Sequence, residues 1–187
     1  IDINKTNFLI ENTDILKYTP KEIDYKIIAN IPYYITSPII TRFLYEIKNK
    51  PKEMIILMQK EVWERICEIW KTNKKKSSVL SILVQKKSKA FLLYDVKKVD
   101  FYPQPKVDSV VVWFKTHNDF EKIDDKKFSL FIKKAFLSPR KKLINNLVSW
   151  WFNKCFLEKI FKNMWFDLKI RPQDLDINNY IDLFVKI

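Results

Sequence analysis

Glycine is absent from all 187 residues of this chain. A glycine-rich turn, in which the backbone closely approaches a bound nucleotide, therefore cannot form within these residues. Cysteine and histidine are also scarce, because the chain has only Cys67, Cys155 and His117. The two cysteines lie far apart without metal-type spacing, which indicates reduced thiols and predicts neither a disulfide nor a metal site.

Long hydrophobic runs and a signal sequence are missing as well. No apolar run reaches the roughly 18 residues that a membrane-spanning helix needs, so the sequence predicts no membrane span. The N-terminus, Ile1-Asp2-Ile3-Asn4, has neither an initiator Met nor a signal-peptide pattern, which argues against export. We therefore expect a cytoplasmic protein.

Positive charge is in excess. The chain has 35 Lys plus Arg against 22 Asp plus Glu, a net charge of +13, and its pI is near 9.6. This excess favours a polyanionic partner. The alternative is a merely solvated basic face, with lysines that reflect an AT-rich coding sequence. Candidate phosphate contacts are Lys74, Lys75, Lys76, Lys86, Lys87, Arg140, Lys141 and Lys142.

The hydrophobic pattern of the first two thirds of the chain alternates between strand and helix types. This alternation predicts a doubly wound α/β domain that ends in an antiparallel pair of strands. The chain is 47% hydrophobic and long enough to bury one substantial core, with a smaller second one. Predicted strands span 8–12, 25–30, 54–58, 90–96 and 109–114, and predicted helices span 38–48, 60–71 and 79–85.

The pattern changes after residue 116. Residues 117–125 are polar and carry four acidic side chains, which is typical of a linker. Beyond it, aromatic and aliphatic residues repeat at helical spacing, so we expect a small all-α domain over 117–187, after an α/β domain over 1–116. Its aromatic stripes are interpreted as core rather than as platforms for nucleic-acid bases.

Residues 30–35, Asn-Ile-Pro-Tyr-Tyr-Ile, follow a predicted buried parallel strand, at the strand end where ligands bind in open α/β sheets. The amine of adenine is a poor nucleophile, because its lone pair is delocalised into the ring. The side-chain oxygen of Asn30 and the carbonyl of Ile31 or Pro32 can each accept one N–H and so localise that lone pair. Tyr33 can stack on an extruded base. The alternative is a Pro-containing turn with two packing tyrosines.

Residues 30–38 resemble the motif of the rRNA adenine dimethyltransferase family, in which Asn-(Leu/Ile)-Pro-Tyr is followed by Ile and then by Ser or Thr. Further segments match this family in the same order, and the resemblance extends from about residue 14 to residue 183. These segments are 58–62 with 64–65, then 80–85, then 101–109 (Phe-Tyr-Pro-Gln-Pro-Lys-Val-Asp-Ser), and 135–136 with 140–143 and 145–147.

The resemblance implies a partial Rossmann-like, S-adenosylmethionine-dependent methyltransferase domain followed by a small helical domain. It also implies dimethylation of the N6 amines of two adjacent adenosines near the 3′ end of small-subunit (16S) rRNA. Asn30 and Pro32 would bind the amine, Tyr33 and Phe101 would enclose the ring, and Asp14 and Asn30 would contact the cofactor. Taken alone, Asp14 is a helix N-cap or turn residue, and Phe101 is a loop anchor.

The resemblance further implies a monomeric enzyme of ribosome biogenesis whose partner is the precursor of the small ribosomal subunit. Two alternatives stay open. The macrolide-resistance methyltransferases share the Asn-Ile-Pro-Tyr and Phe-x-Pro-x-Pro motifs but modify 23S rRNA, whereas residues 140–147 and 171–172 favour the small-subunit enzymes. The other alternative is a non-catalytic RNA-binding assembly or transcription factor of the same fold.

Departures from the family pattern concern glycine. A family member would carry a glycine-rich cofactor turn upstream, so we expect an N-terminally truncated chain that binds S-adenosylmethionine weakly or not at all. The family also commonly has glycine where this chain has Thr13, Ser77 or Ser78, and Trp165. Glycine at the last position would adopt a left-handed conformation after a helix, which a Trp resists. A further hypothesis is that some Trp codons are UGA codons read as glycine.

Overall fold

The computed structural model describes residues 9–67, 76–150 and 152–187. The candidate phosphate contacts Lys74 and Lys75 lie outside the described residues. Within the described ranges, no helix is both long enough and apolar enough to cross a membrane.

Among the described residues, four strands form one mixed sheet, and the four strands predicted from residue 25 onwards are confirmed. The strands are β1 (Lys26–Asn30), β2 (Glu53–Gln59), β3 (Ser88–Val96) and β4 (Ser109–Thr116), in the order β1-β2-β4-β3. Strands β1 and β2 are parallel, whereas β4 is antiparallel to both β2 and β3. The parallel pair and the terminal antiparallel pair are the arrangement that the sequence predicts.

Three helices cover one face of this sheet. They are α1 (Thr36–Thr41), which continues as a π-helical turn over Arg42–Glu46, α2 (Lys60–Ile66) and α3 (Val79–Lys87). Ser78 caps α3 by accepting a hydrogen bond from the amide of Ser81. Alternate residues of β2 are buried, as period-two packing requires. The core of this sheet portion (residues 9–116) includes Ile39, Ile40, Phe43, Leu44, Met54, Ile56, Met58, Val110, Val112 and Phe114.

Two expectations about the N-terminal strands are wrong. Residues 9–12 form no strand, and Leu9 and Ile10 are about four-fifths exposed (80% and 76%), because no described strand pairs with them. Strand β1 was expected to be buried, yet Ile28 is 82% exposed. β1 is the edge strand of the described sheet, and the face that carries Ile28 is uncovered.

The helical portion is residues 125–187, and its described residues form four α-helices. These are α4 (Asp125–Ala135), α5 (Leu143–Val148), α6 (Lys154–Asn163) and α7 (Ile177–Lys186). Phe128, Phe131 and Phe161 are buried, which confirms the interpretation of most of these aromatic residues as core. Phe156 is an exception, since its side chain is exposed. The domain boundary at residues 116/117 stays a prediction, because one continuous cluster of buried residues joins the two portions.

Asp125 joins the helical portion to the sheet portion. Its carboxylate accepts hydrogen bonds from Lys50 and Lys86 and lies 2.8 Å from Nζ of Lys87. Burial alone would raise the pKa of Asp125, but these three lysines outweigh it and lower the pKa below its usual value. The prediction that Asp125 belongs to a linker is therefore wrong. The prediction that Lys86 and Lys87 contact phosphates is also wrong, because the side chains of these two lysines are buried against the Asp125 carboxylate.

Helix α6 ends in a Schellman motif whose left-handed residue is Trp165, with φ at 56°. The amide of Trp165 donates to the carbonyl of Lys162 and the amide of Phe166 donates to that of Phe161, which is the hydrogen-bond pattern of this motif. The rings of Phe161 and Phe166 pack edge to face with centroids 5.8 Å apart. The position where the sequence predicts a left-handed residue is thus confirmed, with a Trp instead of a glycine.

Candidate active site

One cavity of about 370 Å³ brings together two motifs that lie some 70 residues apart in the sequence. Asn30, Ile31, Pro32 and Tyr33 line one side of it, and Phe101, Pro103 and Pro105 line the other. We call it the Tyr33 cavity. The same cavity is therefore lined by the predicted base-binding pair, Tyr33 and Phe101, and by the predicted amine acceptor, Asn30.

Strand β1 places Asn30 at its carboxyl end, where Asn30 pairs with Leu57 of β2. Pro32 then turns the chain with φ −57° and ψ 135°, and residues 33–35 form one 3₁₀ turn. The carbonyl of Pro32 accepts a hydrogen bond from the amide of Ile35 at 3.2 Å. This bond fixes the loop and engages one lone pair of the Pro32 carbonyl, so a ligand would have to share that oxygen with Ile35.

Ser109 fixes the ring of Tyr33. The two hydroxyl oxygens lie 2.7 Å apart, and Ser109 is fully buried at the start of β4. By contrast, Tyr34 and Tyr102 are exposed. The sequence prediction missed Ser109, although it is the last residue of the segment 101–109 that carries the family resemblance.

The loop that carries Phe101 is anchored at both of its ends. Its first part follows a 3₁₀ turn over Lys98–Asp100, and its peptide bond between Tyr102 and Pro103 is cis. The carboxylate of Asp108 accepts a hydrogen bond from the amide of Lys98 at 2.9 Å, and the carbonyl of Asp108 accepts one from the amide of Lys60. Phe101 is therefore placed by backbone contacts rather than by its own packing alone.

Asp14 lies in an exposed turn and does not line the Tyr33 cavity. Its Oδ1 accepts a hydrogen bond from the amide of Leu16 at 2.9 Å, and its carbonyl accepts bonds from the amides of Lys17 and Tyr18. Arg42 of the π-helical turn donates to the carbonyl of Tyr18 and ties this turn to the helix. The geometry is that of a turn residue, with its second carboxylate oxygen open to a ligand.

The remaining predicted RNA contacts lie away from this cavity. Arg140, Lys141 and Lys142 precede α5 on an exposed loop, with Lys142 at the N-cap position. Lys76 is half-buried just before α3. Their roles in RNA binding stay predictions.

Comparisons with known proteins agree on one family. The family model for ribosomal RNA adenine dimethylase matches residues 2–183. The chain is 39% identical to ribosomal RNA small subunit methyltransferase A of Mycoplasma mobile, in an alignment that covers 99% of this chain and 72% of the relative. It is equally similar to the enzyme of that name from Mycoplasmopsis pulmonis, at 39% identity over 99% of this chain and 72% of the relative.

Solved structures give the fold. A dimethyladenosine transferase from Plasmodium falciparum matches with a TM-score of 0.77 at 23% identity, covering 95% of this chain and 70% of that one. The 23S rRNA methyltransferase ErmE matches with a TM-score of 0.67 at 17% identity, covering 94% and 70%. The predicted fold class, a Rossmann-like methyltransferase sheet followed by helices, is confirmed. Together with the family model and the two relatives at 39% identity, this shows that the chain belongs to the ribosomal RNA adenine dimethylase family.

Proposed function

We propose that this chain takes part in dimethylating the N6 amines of two adjacent adenosines near the 3′ end of small-subunit rRNA, in ribosome biogenesis in the cytoplasm. A polypeptide of residues 1–187 alone is expected to be inactive, because it contains no glycine-rich cofactor turn. Family membership gives the reaction class, and the relatives named for the small subunit favour 16S rRNA over 23S rRNA. The observation that carries the proposal is the Tyr33 cavity. Asn30, the Pro32 loop, Tyr33 and Phe101 line this space of about 370 Å³, which supports the proposal.

The residues of this cavity suit a flipped-out adenine. The side-chain oxygen of Asn30 would accept one N–H of the exocyclic amine, and a backbone carbonyl of the Pro32 loop would accept the other. These two bonds favour a pyramidal nitrogen with a localised lone pair. Tyr33 and Phe101 would stack on the base, and such stacking is worth about 1–3 kcal/mol per base. Catalysis then depends on proximity and orientation rather than on a general base.

The methyl donor proposed for this family fold is S-adenosylmethionine, which supplies an electrophilic methyl group when it is bound. The residues on this chain fit only part of that molecule. The open oxygen of Asp14 can accept an N–H of the cofactor's adenine, and Asn30 ends the neighbouring strand. No glycine-rich turn exists among the 187 residues for the remainder. We therefore expect a polypeptide of residues 1–187 to bind S-adenosylmethionine weakly or not at all.

Calorimetric titration of the 187-residue polypeptide with S-adenosylmethionine measures this directly. We expect no binding in the micromolar range, because a single exposed carboxylate and one strand end provide few contacts. A micromolar dissociation constant would show that the described residues suffice for the cofactor.

The proposed partner is the rRNA of an assembling small ribosomal subunit, bound by a monomeric protein. The net charge of +13 supports a polyanionic partner. The exposed loop at Arg140, Lys141 and Lys142 is the part of the helical portion where phosphate contacts are expected. A non-catalytic assembly factor of the same fold is the competing function, since it would need the basic surface but not the Tyr33 cavity.

Primer extension over the 3′ end of the small-subunit rRNA tests the function. In cells that lack the gene for this protein, the dimethyladenosine stop should disappear and a wild-type copy should restore it. Asn30→Ala should fail to restore the stop, because the amine loses its side-chain acceptor. Asn178→Ala, at an exposed position of α7, should restore it and serves as the matched control.

A stop restored by Asn30→Ala would contradict the proposed role of Asn30 as the acceptor of the adenine amine. A stop that persists in the deletion strain, together with an assembly defect, would favour the non-catalytic factor.

A further inference from the structure

A second cavity, of about 580 Å³, lies between the sheet portion and the helical portion. Ser37 and Thr41 of α1 and Leu83 of α3 line one side, and Lys133 and Phe136 at the end of α4 line the other. We call it the Thr41 cavity. It is larger than the Tyr33 cavity and within the size range of small-molecule sites. Among the described residues that line it, none belongs to the predicted base or cofactor site.

The two cavities lie next to each other along the chain. Tyr33 lines the first, and Ser37, one helical turn later, lines the second. Residues 33–35 form a 3₁₀ turn and α1 begins at Thr36, so the backbone advances roughly 7 Å from Tyr33 to Ser37. One step of an unstacked RNA strand can span such a distance, because neighbouring bases are already about 3.4 Å apart when they are stacked in a duplex. A strand whose target base enters the Tyr33 cavity can therefore reach the residues that line the Thr41 cavity with its next nucleotide.

The chemistry of the Thr41 cavity suits a nucleotide. Leu83 and Phe136 provide apolar surface for the faces of a base. The hydroxyl groups of Ser37 and Thr41 can donate hydrogen bonds to the edge of a base or accept them from it. Arg65 and Lys133 add positive charge at the rim, and among the described residues Arg65 forms an exposed ion pair with Glu61. A lipid or an apolar peptide would leave this charge unmatched, whereas a phosphodiester matches it.

We propose that the Thr41 cavity binds the nucleotide adjacent to the target adenosine, with its base against Leu83 and Phe136 and its phosphate near Arg65 and Lys133. The proposal rests on the proposed function, because it extends the same RNA strand from the Tyr33 cavity. In a substrate with two neighbouring adenosines, the Thr41 cavity takes the adenosine that is not being methylated. The protein then positions its target by two bases rather than by one.

Binding of an RNA hairpin with two adjacent loop adenosines, measured by fluorescence anisotropy at fixed salt, tests this proposal. One hairpin is intact, one is abasic at the target position and one is abasic at the neighbouring position. For the wild-type protein, the neighbouring abasic site should weaken binding at least fivefold, the lower bound for one lost stacked base. For Thr41→Trp, in which the indole fills the cavity, the same abasic site should change affinity less than twofold. An equal penalty in both proteins would overturn the proposal.

A charge variant provides a second readout that needs no change inside the cavity. Lys133→Glu should weaken binding of the intact hairpin at least fivefold more than Lys134→Glu, which makes the same charge change at a neighbouring residue that does not line the cavity. Equal losses would mean that only the overall charge matters, and would overturn the phosphate contact.

Tyr33→Ala separates this proposal from the proposed function. One outcome is that Tyr33→Ala removes the affinity penalty of the abasic target site, while Thr41→Trp leaves the penalty of the abasic neighbouring site unchanged. This outcome would support base binding in the Tyr33 cavity and would overturn nucleotide binding in the Thr41 cavity. If neither substitution changes the penalty of its abasic site, base binding in the Tyr33 cavity is contradicted as well. Circular dichroism of each variant confirms that the comparison is made between folded proteins.

Discussion

The aromatic residues around the Tyr33 cavity and those in the core of the helical portion differ in their exposure to solvent. Tyr33 and Phe101, which line the Tyr33 cavity, are partly exposed, and the neighbouring Tyr34 and Tyr102 are exposed. In the helical portion the rings pack against one another. Phe131 contacts both Tyr180 and Phe184, with centroid distances of 6.3 and 5.4 Å. Solvent therefore reaches the rings around the Tyr33 cavity, whereas the buried rings of the helical portion stabilise the fold, as Phe43 and Phe114 do in the sheet portion.

The largest effect should come from a pair of substitutions that contrasts these two kinds of ring. Phe131→Ala should lower the free energy of unfolding by about 3–5 kcal/mol, because it leaves a cavity among buried rings. Tyr33→Ala should cost less, about 1–2 kcal/mol, mainly because the buried hydroxyl of Ser109 loses its partner. Urea denaturation of the two variants measures both. Equal losses would show that Tyr33 is a core residue like Phe131.

The contact between the two portions should give the next largest effect. Asp125→Ala should destabilise the protein by roughly 3 kcal/mol, because three lysines lose their common carboxylate and the Lys86 ammonium stays buried. Asp24→Ala is the matched control, since Asp24 pairs with Lys52 at an exposed position and should cost less than about 1 kcal/mol. Similar losses from both substitutions would mean that the junction contributes no more than a surface pair.

The same junction predicts how stability depends on pH. The pKa of Asp125 is lower in the folded protein than in the unfolded chain, so the unfolded chain binds the proton more readily. The stabilisation by Asp125 is therefore fully present above about pH 4, near the ordinary pKa of Asp, and is lost as the pH falls further. Thermal unfolding between pH 7 and pH 3 should show a steeper decline for wild type than for Asp125→Ala. Parallel curves would contradict this linkage.

How much the sequence could predict depends on how local the signal was. Strand β2 was predictable because residues 54–58 form a short uninterrupted apolar run, which is typical of a buried strand. The contact between Tyr33 and Ser109 was not, since 76 positions separate two hydroxyls that no periodicity links. Asp125 looked like part of a polar linker for the same reason, because its lysine partners come from distant segments. Local patterns thus predicted elements and motif loops, while polar partners across the fold required the structure.

The smallest effect should come from Trp165, an aromatic residue of the helical portion that is not part of its core. Its side chain is 95% exposed, and its φ of 56° is a conformation that a Cβ atom disfavours by about 1–2 kcal/mol. Trp165→Gly should therefore stabilise the protein by about 1 kcal/mol, after the greater backbone entropy of glycine in the unfolded chain is subtracted. Trp165→Ala removes the ring but keeps Cβ, so it should give no gain in chemical denaturation. If alanine stabilised the protein as much as glycine, the exposed indole rather than the left-handed backbone would be the source of the destabilisation.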